Sequence, residues 1–323
     1  MMRAMQVVEL GQPLQMNEVE IPTPKAGEVL VSIHTCGLNF ADLLVIKGTY
    51  QEKPPLPATI GMEICGTVTA LGSGVTHFEV GQRIGSYCGF GGLADYAAIA
   101  ANLCVPLPDD MNTVDAAAFL IAYGTSHVAL DYKAHLQAGE RLLVLGASGG
   151  VGLTAVELGK LMGAEVIACA RGAEKLAICK QAGADHLINS EVGDIREIVK
   201  SLGGADVVYD PVGGDQFKAA LRACNPEARI LPLGFASGDV PQIPANHLLV
   251  KNLTIIGFYW GAYARMNPKV LTDSFATLIE WYSAGKIKPH VSATLPLGNA
   301  NEALELLRTR KATGKVVVEV SKP

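Results

Sequence analysis

The segment LLVLGASGGVG, residues 142–152, sets the architecture of half of this chain. Its four leading apolar residues are typical of a strand buried on both faces of a sheet. Glycines then turn the backbone, apolar residues recur at helical spacing from Val151 to Met162, and Gly163 suits the end of the helix. A second apolar run, residues 165–170, follows directly. Strand, glycine turn, helix and strand at this spacing predict a parallel βαβ unit.

The βαβ unit predicts a phosphate site at its glycine turn. A pyrophosphate can approach the backbone there because Gly149 and Gly150 have no side chains. The free N–H groups and the positive end of the helix dipole then bind it. An ordinary tight turn is the alternative, since Ala147 replaces the first glycine of the G-x-G-x-x-G pattern. The predicted contacts are Ala147, Ser148, Gly149, Gly150, Val151 and Gly152.

The composition excludes several classes of protein. A chain of 323 residues that is 49% apolar and 18% charged predicts a folded enzyme with a large core. Its net charge of −5 argues against a nucleic-acid-binding surface. The longest apolar run, residues 116–123, is too short to span a membrane, and no signal peptide is predicted. The seven scattered cysteines predict neither a disulfide framework nor a clustered zinc site, which favours the cytoplasm.

The chain divides into a β-rich part and a part with alternating strands and helices. Short strands at 28–34, 61–71 and 81–87, separated by glycine and proline, favour a small, partly closed barrel. Residues 115–130 predict one Ala-rich helix. Beyond it, six strands with interleaved helices predict a doubly wound parallel sheet. These strands are expected at 142–145, 165–170, 185–189, 205–210, 228–234 and 253–257.

The C-terminal tail is predicted to return to the first part. Residues 273–284 and 300–307 predict helices, and Asn299 with Glu302 forms a capping-box pattern for the second. The strand at 315–320 is expected to rejoin the first sheet. We therefore predict a discontinuous domain of residues 1–120 and 262–323, and a nucleotide-binding domain of residues 121–261.

The motifs together resemble those of the medium-chain dehydrogenase/reductase superfamily, and within it the zinc-independent, zeta-crystallin-like quinone oxidoreductases. The resemblance covers nearly the whole chain. It implies a GroES-like β-barrel domain beside an α/β Rossmann domain, with the cofactor in the cleft between them and a homodimer as in related proteins. The motifs that carry it are GLNFAD at 37–42, GME at 61–63, GTV at 66–68, VGQRI at 80–84, ASGGVG at 147–152 and VVYD at 207–210.

The resemblance also implies that no metal is bound. Zinc-dependent relatives have a Cys ligand in a C-x-x-D motif and a His ligand in a G-H-E motif. Here Asn39 and Met62 take those positions, and an amide and a thioether are poor replacements on zinc. Cys36 is close to Asn39 but is interpreted as a buried, apolar residue.

Loss of the metal changes the predicted reaction. Without a Lewis acid, hydride addition to a conjugated quinone or enone is favoured over the interconversion of alcohol and ketone. We predict an NADPH-dependent, metal-free reductase of a small-molecule quinone or enone. The alternatives are an enoyl-CoA or alkenal double-bond reductase, a zinc alcohol dehydrogenase, and a non-catalytic NADPH-binding protein.

The cofactor preference is predicted from the end of the second strand of the βαβ unit. NAD-preferring folds have an acidic residue there, whereas this chain has Arg171 and, one turn later, Lys175. Both can bind a 2′-phosphate, which favours NADPH over NADH, although two solvated charges would look the same. Ser190, after the third strand, is either a donor to the cofactor or a turn cap.

By resemblance, Asn39, Asp42 and Tyr50 line the substrate cleft. Asn39 or Tyr50 would donate to the substrate oxygen, and Asp42 would orient its neighbours or the nicotinamide ribose. The alternative is a turn-forming Asn, an exposed Asp and a packed Tyr. Tyr123 is implied near the nicotinamide but is equally a core residue.

Loops after the late strands are expected to flank the nicotinamide, because ligands of such sheets bind at the strands' carboxyl ends. Aromatic packing or a subunit contact is the alternative for Phe258, Tyr259 and Trp260. The cofactor contacts expected in these loops are Gly234, Phe235, Phe258 and Tyr259. Arg308, Arg310 and Lys315 are phosphate neighbours or lie on a solvated helix face.

Overall fold

A computed structural model describes residues 1–321, and it divides the chain into two compact units. The first unit contains Met1–Ile121 and the segment from Ile279 onward, and the second contains Ala122–Leu278. The second boundary therefore lies later than the predicted 261/262. Trp260 packs against Phe275 with ring centroids 6.1 Å apart, and His127 Nδ1 lies 2.9 Å from Ser274 Oγ. These contacts hold residues 262–278 in the second unit.

The strands are β1 (Met2–Val7), β2 (Gln15–Val19), β3 (Glu28–Leu38), β4 (Ala58–Thr59), β5 (Glu63–Leu71), β6 (Arg83–Tyr87), β7 (Tyr96–Ala100), β8 (Cys104–Pro106), β9 (Arg141–Leu145), β10 (Glu165–Ala170), β11 (His186–Asn189), β12 (Ala205–Asp210), β13 (Cys224–Pro232), β14 (Thr254–Ile255), β15 (Val291–Pro296) and β16 (Lys315–Glu319).

The α-helices are α1 (Phe40–Ile46), α2 (Thr113–Ala117), α3 (Leu120–His127), α4 (Gly150–Leu161), α5 (Ala173–Gln181), α6 (Ile195–Ser201), α7 (Gly214–Ala223), α8 (Ala245–Lys251), α9 (Tyr263–Met266), α10 (Pro268–Ser283) and α11 (Ala300–Arg308). None of the helices within residues 1–321 is both long and apolar enough to cross a membrane.

The first unit is built on two β-sheets. The larger has the strand order β15-β16-β3-β5-β6-β8, with β7 also paired to β3, and the smaller has the order β2-β1-β4. Side chains such as Val31, Ile33 and Ile64 are completely buried between these elements. Each such side chain stabilises the fold by about 1.5–3 kcal/mol. Strand β16 pairs antiparallel with β3, which confirms that the tail rejoins the first sheet.

The second unit contains a six-stranded sheet of order β11-β10-β9-β12-β13-β14, and every neighbouring pair is parallel. This confirms the predicted doubly wound sheet. Residues 142–145 of β9 are completely buried, as expected for a strand covered on both faces. Strand β13 begins four residues earlier than predicted, at Cys224, and β14 is reduced to two residues.

Residues 115–130 do not form the single helix that was predicted. The helix α2 begins after Asn112, whose Oδ1 accepts a hydrogen bond of 2.8 Å from Asp115 N. It ends at Ala117, α3 follows, and residues 128–133 continue as a π-helical turn. An Ala-rich apolar run does not reveal such breaks, because helix propensity is uniform along it.

The capping box predicted for α11 is also absent. A 3₁₀ turn over Leu297–Asn299 runs directly into the helix, so Asn299 has φ −101° and ψ 20° rather than extended geometry. Its Nδ2 donates instead to Glu302 Oε1 at 2.9 Å. The two side chains therefore bind each other rather than the helix amides.

Candidate functional site

The glycine turn of the second unit connects β9 to α4 with little space to spare. Gly146 turns the chain with φ +57°, and Gly149 N donates to its carbonyl oxygen at 3.0 Å. A Cβ on Gly152 would overlap this same oxygen and lie 2.9 Å from Ala147 Cα. Only glycine at position 152 therefore lets α4 begin so close to β9.

This turn presents backbone amides at the start of a 12-residue helix. The first-turn N–H groups, from Gly150 to Gly152, have no acceptor within the helix. A Cβ on Gly149 would meet only Gly146 O, at 3.4 Å, so no side chain fills the space beside the turn. Buried Ala147 and Ser148 fix the loop, with Ala147 N bonded to Cys169 O of β10 at 3.0 Å. This arrangement can hold a phosphate.

The two predicted cations lie at the end of β10. Arg171 is exposed directly after the strand, and Lys175 is half-buried in the first turn of α5. Ser190 follows β11, and its N–H donates to Ala170 O at 3.0 Å, so the structure places these three residues on adjoining turns. Whether they contact a cofactor stays a prediction.

Two residues that the sequence analysis missed organise these turns. Asn189 Oδ1 accepts hydrogen bonds from Gly172 N and Glu191 N, both at 3.1 Å. Glu191 Oε2 would lie 3.9 Å from a Cβ on Gly172. An acidic group therefore does approach the β10–α5 turn, but it comes from the loop after β11 and not from the end of β10.

The remaining residues predicted for the cofactor lie in loops after β13 and β14. Gly234 and Phe235 follow β13, and Ala236 N donates to Pro211 O at 3.1 Å, which ties this loop to the end of β12. Phe235 is 41% exposed. Half-buried Phe258 packs near Tyr263, with ring centroids 6.0 Å apart. Packing therefore accounts for Phe258, and Tyr259 beside it is also half-buried.

Tyr123 lies in the interior of the second unit. It is 1% exposed, and its hydroxyl donates to Glu157 Oε2 on α4 at 2.5 Å. The structure favours the core alternative for this residue. Contact between Tyr123 and a nicotinamide remains a prediction.

In the first unit, Asn39 and Asp42 lie together at the start of α1. Asp42 Oδ2 accepts from Asn39 N at 2.8 Å, and its Oδ1 accepts from Gly61 N at 3.2 Å. Asp42 is completely buried, so the alternative of an exposed aspartate is wrong. Both of its oxygens orient the backbone of its neighbours, which is one of the two roles that the resemblance implied.

The Asn39 side chain belongs to a buried charge cluster that we call the Lys315 cluster: Asn39, Glu63 and Lys315. Lys315 Nζ lies 2.7 Å from Asn39 Oδ1 and 2.9 Å from Glu63 Oε2. The Glu63 side chain is completely buried and that of Lys315 is 5% exposed. The solvated-face alternative for Lys315 is therefore wrong, and its contact with a phosphate stays a prediction.

Sequence reasoning named all three residues of this cluster but did not predict that they contact one another. Glu63 stood in the GME motif as a charge at the start of an apolar strand, which is the available signal for a buried, paired carboxylate. Arg308, by contrast, pairs with Glu305 at 2.5 Å on the exposed face of α11. That residue follows the solvated alternative.

Tyr50 is half-buried against the core of the first unit. It also lines a cavity of about 70 Å³. The other lining residues include Val7, Leu10, Val45, Leu56 and Ala58. Tyr50 is thus packed on one side and open to an apolar space on the other.

Burial raises the pKa of Asp42 to about 6, although the amides of Asn39 and Gly61 and the Lys315 ammonium favour its ionised form. The folded protein therefore binds this proton more tightly than the unfolded chain does. The resulting stabilisation is present below about pH 4 and is lost as the pH rises to about 6.

We expect the free energy of unfolding of the wild type, relative to Asp42→Asn, to fall by up to about 3 kcal/mol between pH 4 and pH 7. Urea denaturation of both proteins across this range measures the difference. Asp215→Asn is the control, since Lys218 lowers the pKa of that exposed carboxyl and any trend has the opposite sign. A flat difference curve for Asp42→Asn would contradict the assignment.

Residues 1–321 contain no group of three His, Cys, Asp or Glu side chains arranged to hold a metal ion. The seven cysteines all have free thiols, and Cys36 is completely buried as interpreted from the sequence. Burial also raises the pKa of the Cys36 thiol well above its ordinary value, which keeps the sulfur protonated.

The residues of the second unit fit a dinucleotide that carries a 2′-phosphate. The glycine turn has space beside Gly149 and free amides at the start of α4. The adjoining turn places Arg171 in solvent where a second anionic group can reach it. These two features come from the structure itself and do not depend on any relative.

Comparison with known protein families agrees with both units. Residues 25–109 match the family described as "Alcohol dehydrogenase GroES-like domain", which confirms the predicted GroES-like domain. Residues 150–283 match the family described as "Zinc-binding dehydrogenase". The two matched segments lie mainly in the first and the second unit, respectively.

Individual relatives cover nearly the whole chain. A quinone oxidoreductase-like protein 2 homolog of Nematostella vectensis is 42% identical over 98% of this chain and 88% of its own length. The structure of a mycobacterial protein complexed with NADPH has a TM-score of 0.93 at 31% identity, covering 99% of this chain and 100% of its own. Escherichia coli quinone oxidoreductase complexed with NADPH has a TM-score of 0.92 at 28% identity, covering 98% and 100%.

Proposed function

Because this chain belongs to the quinone oxidoreductase branch of the medium-chain dehydrogenase/reductase superfamily, we propose that it is an NADPH-dependent, metal-free reductase of quinones or conjugated enones. The observation that carries the proposal is the glycine turn at residues 146–152, with Arg171 and Lys175 on the adjoining turn. This arrangement suits a dinucleotide with an added phosphate.

NADPH, when bound, supplies a hydride to the acceptor. The amides of Gly150 to Gly152 would hold its pyrophosphate, and Arg171 and Lys175 would hold the 2′-phosphate. Asn39 and Tyr50 would bind the acceptor, with one of them donating a hydrogen bond to its oxygen. Asp42 would keep the Asn39 backbone in place through the 2.8 Å bond from Asn39 N.

The absence of a metal requirement is supported by the Lys315 cluster. The Asn39 oxygen, at the position where zinc relatives have a cysteine ligand, already binds an ammonium group at 2.7 Å. A cation held there repels a second one, and the amide is a weak zinc ligand. A conjugated acceptor suits such a site, because its developing negative charge can be stabilised by hydrogen bonds alone.

The test is NADPH oxidation by the purified protein with a panel of quinones and a panel of enones that includes enoyl-CoA esters. We expect turnover with quinones or enones, no metal in the purified protein, and no loss of activity after treatment with a chelator. Turnover confined to simple ketones, or activity that requires zinc, would contradict the proposal. Tight NADPH binding without oxidation by any acceptor would support a non-catalytic protein instead.

Removing the positive charges of Arg171 and Lys175 should weaken the binding of NADPH but not the binding of NADH. We expect Arg171→Ala/Lys175→Ala to raise the Kd of NADPH by about 10–100-fold, because charge-assisted hydrogen bonds contribute about 1.5–3 kcal/mol. The Kd of NADH should change by less than about twofold, since it has no 2′-phosphate. Fluorescence titration measures both constants.

Lys180→Ala is the matched control, because Lys180 lies in the last turn of the same helix and donates to Ala184 O at 3.1 Å. It removes a charge without touching the β10–α5 turn. If the double variant binds NADPH and NADH more weakly by the same factor, Arg171 and Lys175 act on the pyrophosphate or on the fold. That result would contradict the assignment of the 2′-phosphate site.

We propose that the protein is a homodimer formed through the β14 edge of the second sheet. Strand β14 is the terminal strand of that sheet, and the preceding helix α8 buries none of its residues. Its Leu249 and Val250 are 77% and 76% exposed. A second copy would cover these apolar side chains while the two sheets join edge to edge.

Light scattering should give the mass of a dimer for the wild type and of a monomer for Leu249→Ser/Val250→Ser, because the variant loses the apolar contact. Val192→Ser is the control, as Val192 is 84% exposed but follows β11 at the opposite edge of the sheet. A monomeric wild type would contradict the proposal.

The seven free thiols are consistent with the cytoplasm, which we propose as the location of the protein.

A further inference from the structure

The Lys315 cluster places two charged side chains, Glu63 and Lys315, in the protein interior, where a charge without a partner is strongly unfavourable. Both Glu63 and Lys315 are buried. A buried ion pair adds little net stability, because desolvation of both groups offsets their attraction. Net stability therefore does not account for this ion pair, and the contact of Lys315 with Asn39 indicates a second role.

The contacts determine which way the Asn39 amide points. An ammonium group only donates, so the atom that lies 2.7 Å from Lys315 Nζ must be Oδ1 and not Nδ2. Nδ2 is thereby turned towards Gly37 O at 3.1 Å and Glu63 Oε2 at 3.4 Å. The second contact is at the long limit for a hydrogen bond, so one Nδ2 hydrogen is weakly held.

Glu63 does not need that hydrogen. Its Oε1 accepts from Ile121 N at 3.0 Å, and its Oε2 accepts from Lys315 Nζ at 2.9 Å. Asp42, the other nearby carboxylate, has one backbone amide on each oxygen. The weakly held N–H of Asn39 Nδ2 can therefore donate its hydrogen bond to a stronger acceptor without leaving a buried carboxylate unpaired.

A cation on the oxygen of an amide withdraws electron density from its nitrogen and strengthens its N–H groups as donors. We propose that Lys315 is a positioning residue, whose ammonium orients and polarises the Asn39 amide so that Nδ2–H stabilises negative charge on the acceptor oxygen. This inference rests on the proposed function. As NADPH is oxidised, the acceptor gains a hydride with two electrons, charge collects on its conjugated oxygen, and that oxygen takes a proton from water.

The test compares Lys315→Met with Lys315→Arg in the full-length protein, using quinones graded by electron affinity. We expect Lys315→Met to lower kcat/KM by about 10–100-fold for the weakest acceptors and by less than about threefold for the strongest, which need less stabilisation of the developing charge. Lys315→Arg should restore most of the activity. The Kd of NADPH, measured separately by fluorescence, should stay within about twofold of the wild-type value.

A second readout does not depend on turnover. In the complex with NADP⁺, absorbance titration of bound 4-nitrophenol should show that the wild type prefers phenolate over phenol by about tenfold. Lys315→Met and Asn39→Ala should each remove this preference. The double variant Asn39→Ala/Lys315→Met should show the same phenolate preference as Asn39→Ala alone, because both substitutions act through the Asn39 amide.

An equal loss for all quinones would overturn the proposal, as would an undiminished effect of Lys315→Met in the Asn39→Ala background. If Lys315→Met does not fold, Glu63→Gln/Lys315→Met removes both buried charges and should show the same acceptor-dependent loss. If the wild type fails to oxidise NADPH with every acceptor offered, the proposed function is contradicted. The nitrophenol titration would still decide whether Lys315 acts through Asn39.

Discussion

Gly152→Ala should strongly weaken NADPH binding and destabilise the protein. The added methyl group would overlap the carbonyl oxygen of Gly146 and lie 2.9 Å from Ala147 Cα. Both neighbours are backbone atoms that connect a buried strand to a buried helix, so neither can rotate away. The helix α4 has to move from β9, which displaces the amides that would hold the pyrophosphate.

We expect the free energy of unfolding of Gly152→Ala to fall by about 3 kcal/mol, the upper part of the range for an overpacked core. The affinity for NADPH should fall by at least about 100-fold, which corresponds to about 2.7 kcal/mol. Chemical denaturation and fluorescence titration measure the two effects on the same preparation.

Gly149→Ala provides a matched comparison within the same turn. A Cβ there would meet only Gly146 O at 3.4 Å, and the backbone has φ −79°, which alanine adopts without strain. Its stability should match that of the wild type, while NADPH binding should weaken because the methyl group enters the space beside the turn. If Gly152→Ala binds NADPH as the wild type does, the glycine turn does not hold the pyrophosphate.

The second unit could be predicted from the sequence because its physical signals are local. Buried parallel strands appear as continuous apolar runs, and residues 165–170 and 205–210 match β10 and β12 residue for residue. Strand β14 was overestimated, since an apolar run does not report how many of its residues pair. The failures near α2 and α3 have the same origin, because breaks in a buried Ala-rich segment are set by tertiary packing.

The Lys315 cluster was out of reach for a different reason. Asn39 and Lys315 are 276 residues apart, and they meet only because β16 pairs with β3. A lysine in the tail looks the same in the sequence whether it is solvated or buried. The signal was present only at Glu63, where a carboxylate opens an apolar strand, and its partner could not be identified without the sheet register.

The same register leads to the second large effect, at Gly37 of β3. This residue pairs with Glu63 of β5 on one side and with Val317 of β16 on the other. A Cβ on Gly37 would overlap the carbonyl oxygen of Ala117 at the end of α2 and lie 3.3 Å from Glu63 Oε2. The strand cannot move away from the helix, because its neighbours hold it on both sides.

We therefore expect Gly37→Ala to lower the free energy of unfolding by at least about 3 kcal/mol, visible as a lower midpoint in urea and less soluble protein. Gly298→Ala is the control, because Gly298 is an exposed residue of the same unit whose added Cβ would meet nothing within 4 Å. A stable Gly37→Ala protein would mean that α2 can shift away from β3. In that case Ile121 at the start of α3, whose N–H donates to Glu63 Oε1 at 3.0 Å, should move with α2 and change the turnover of weak acceptors.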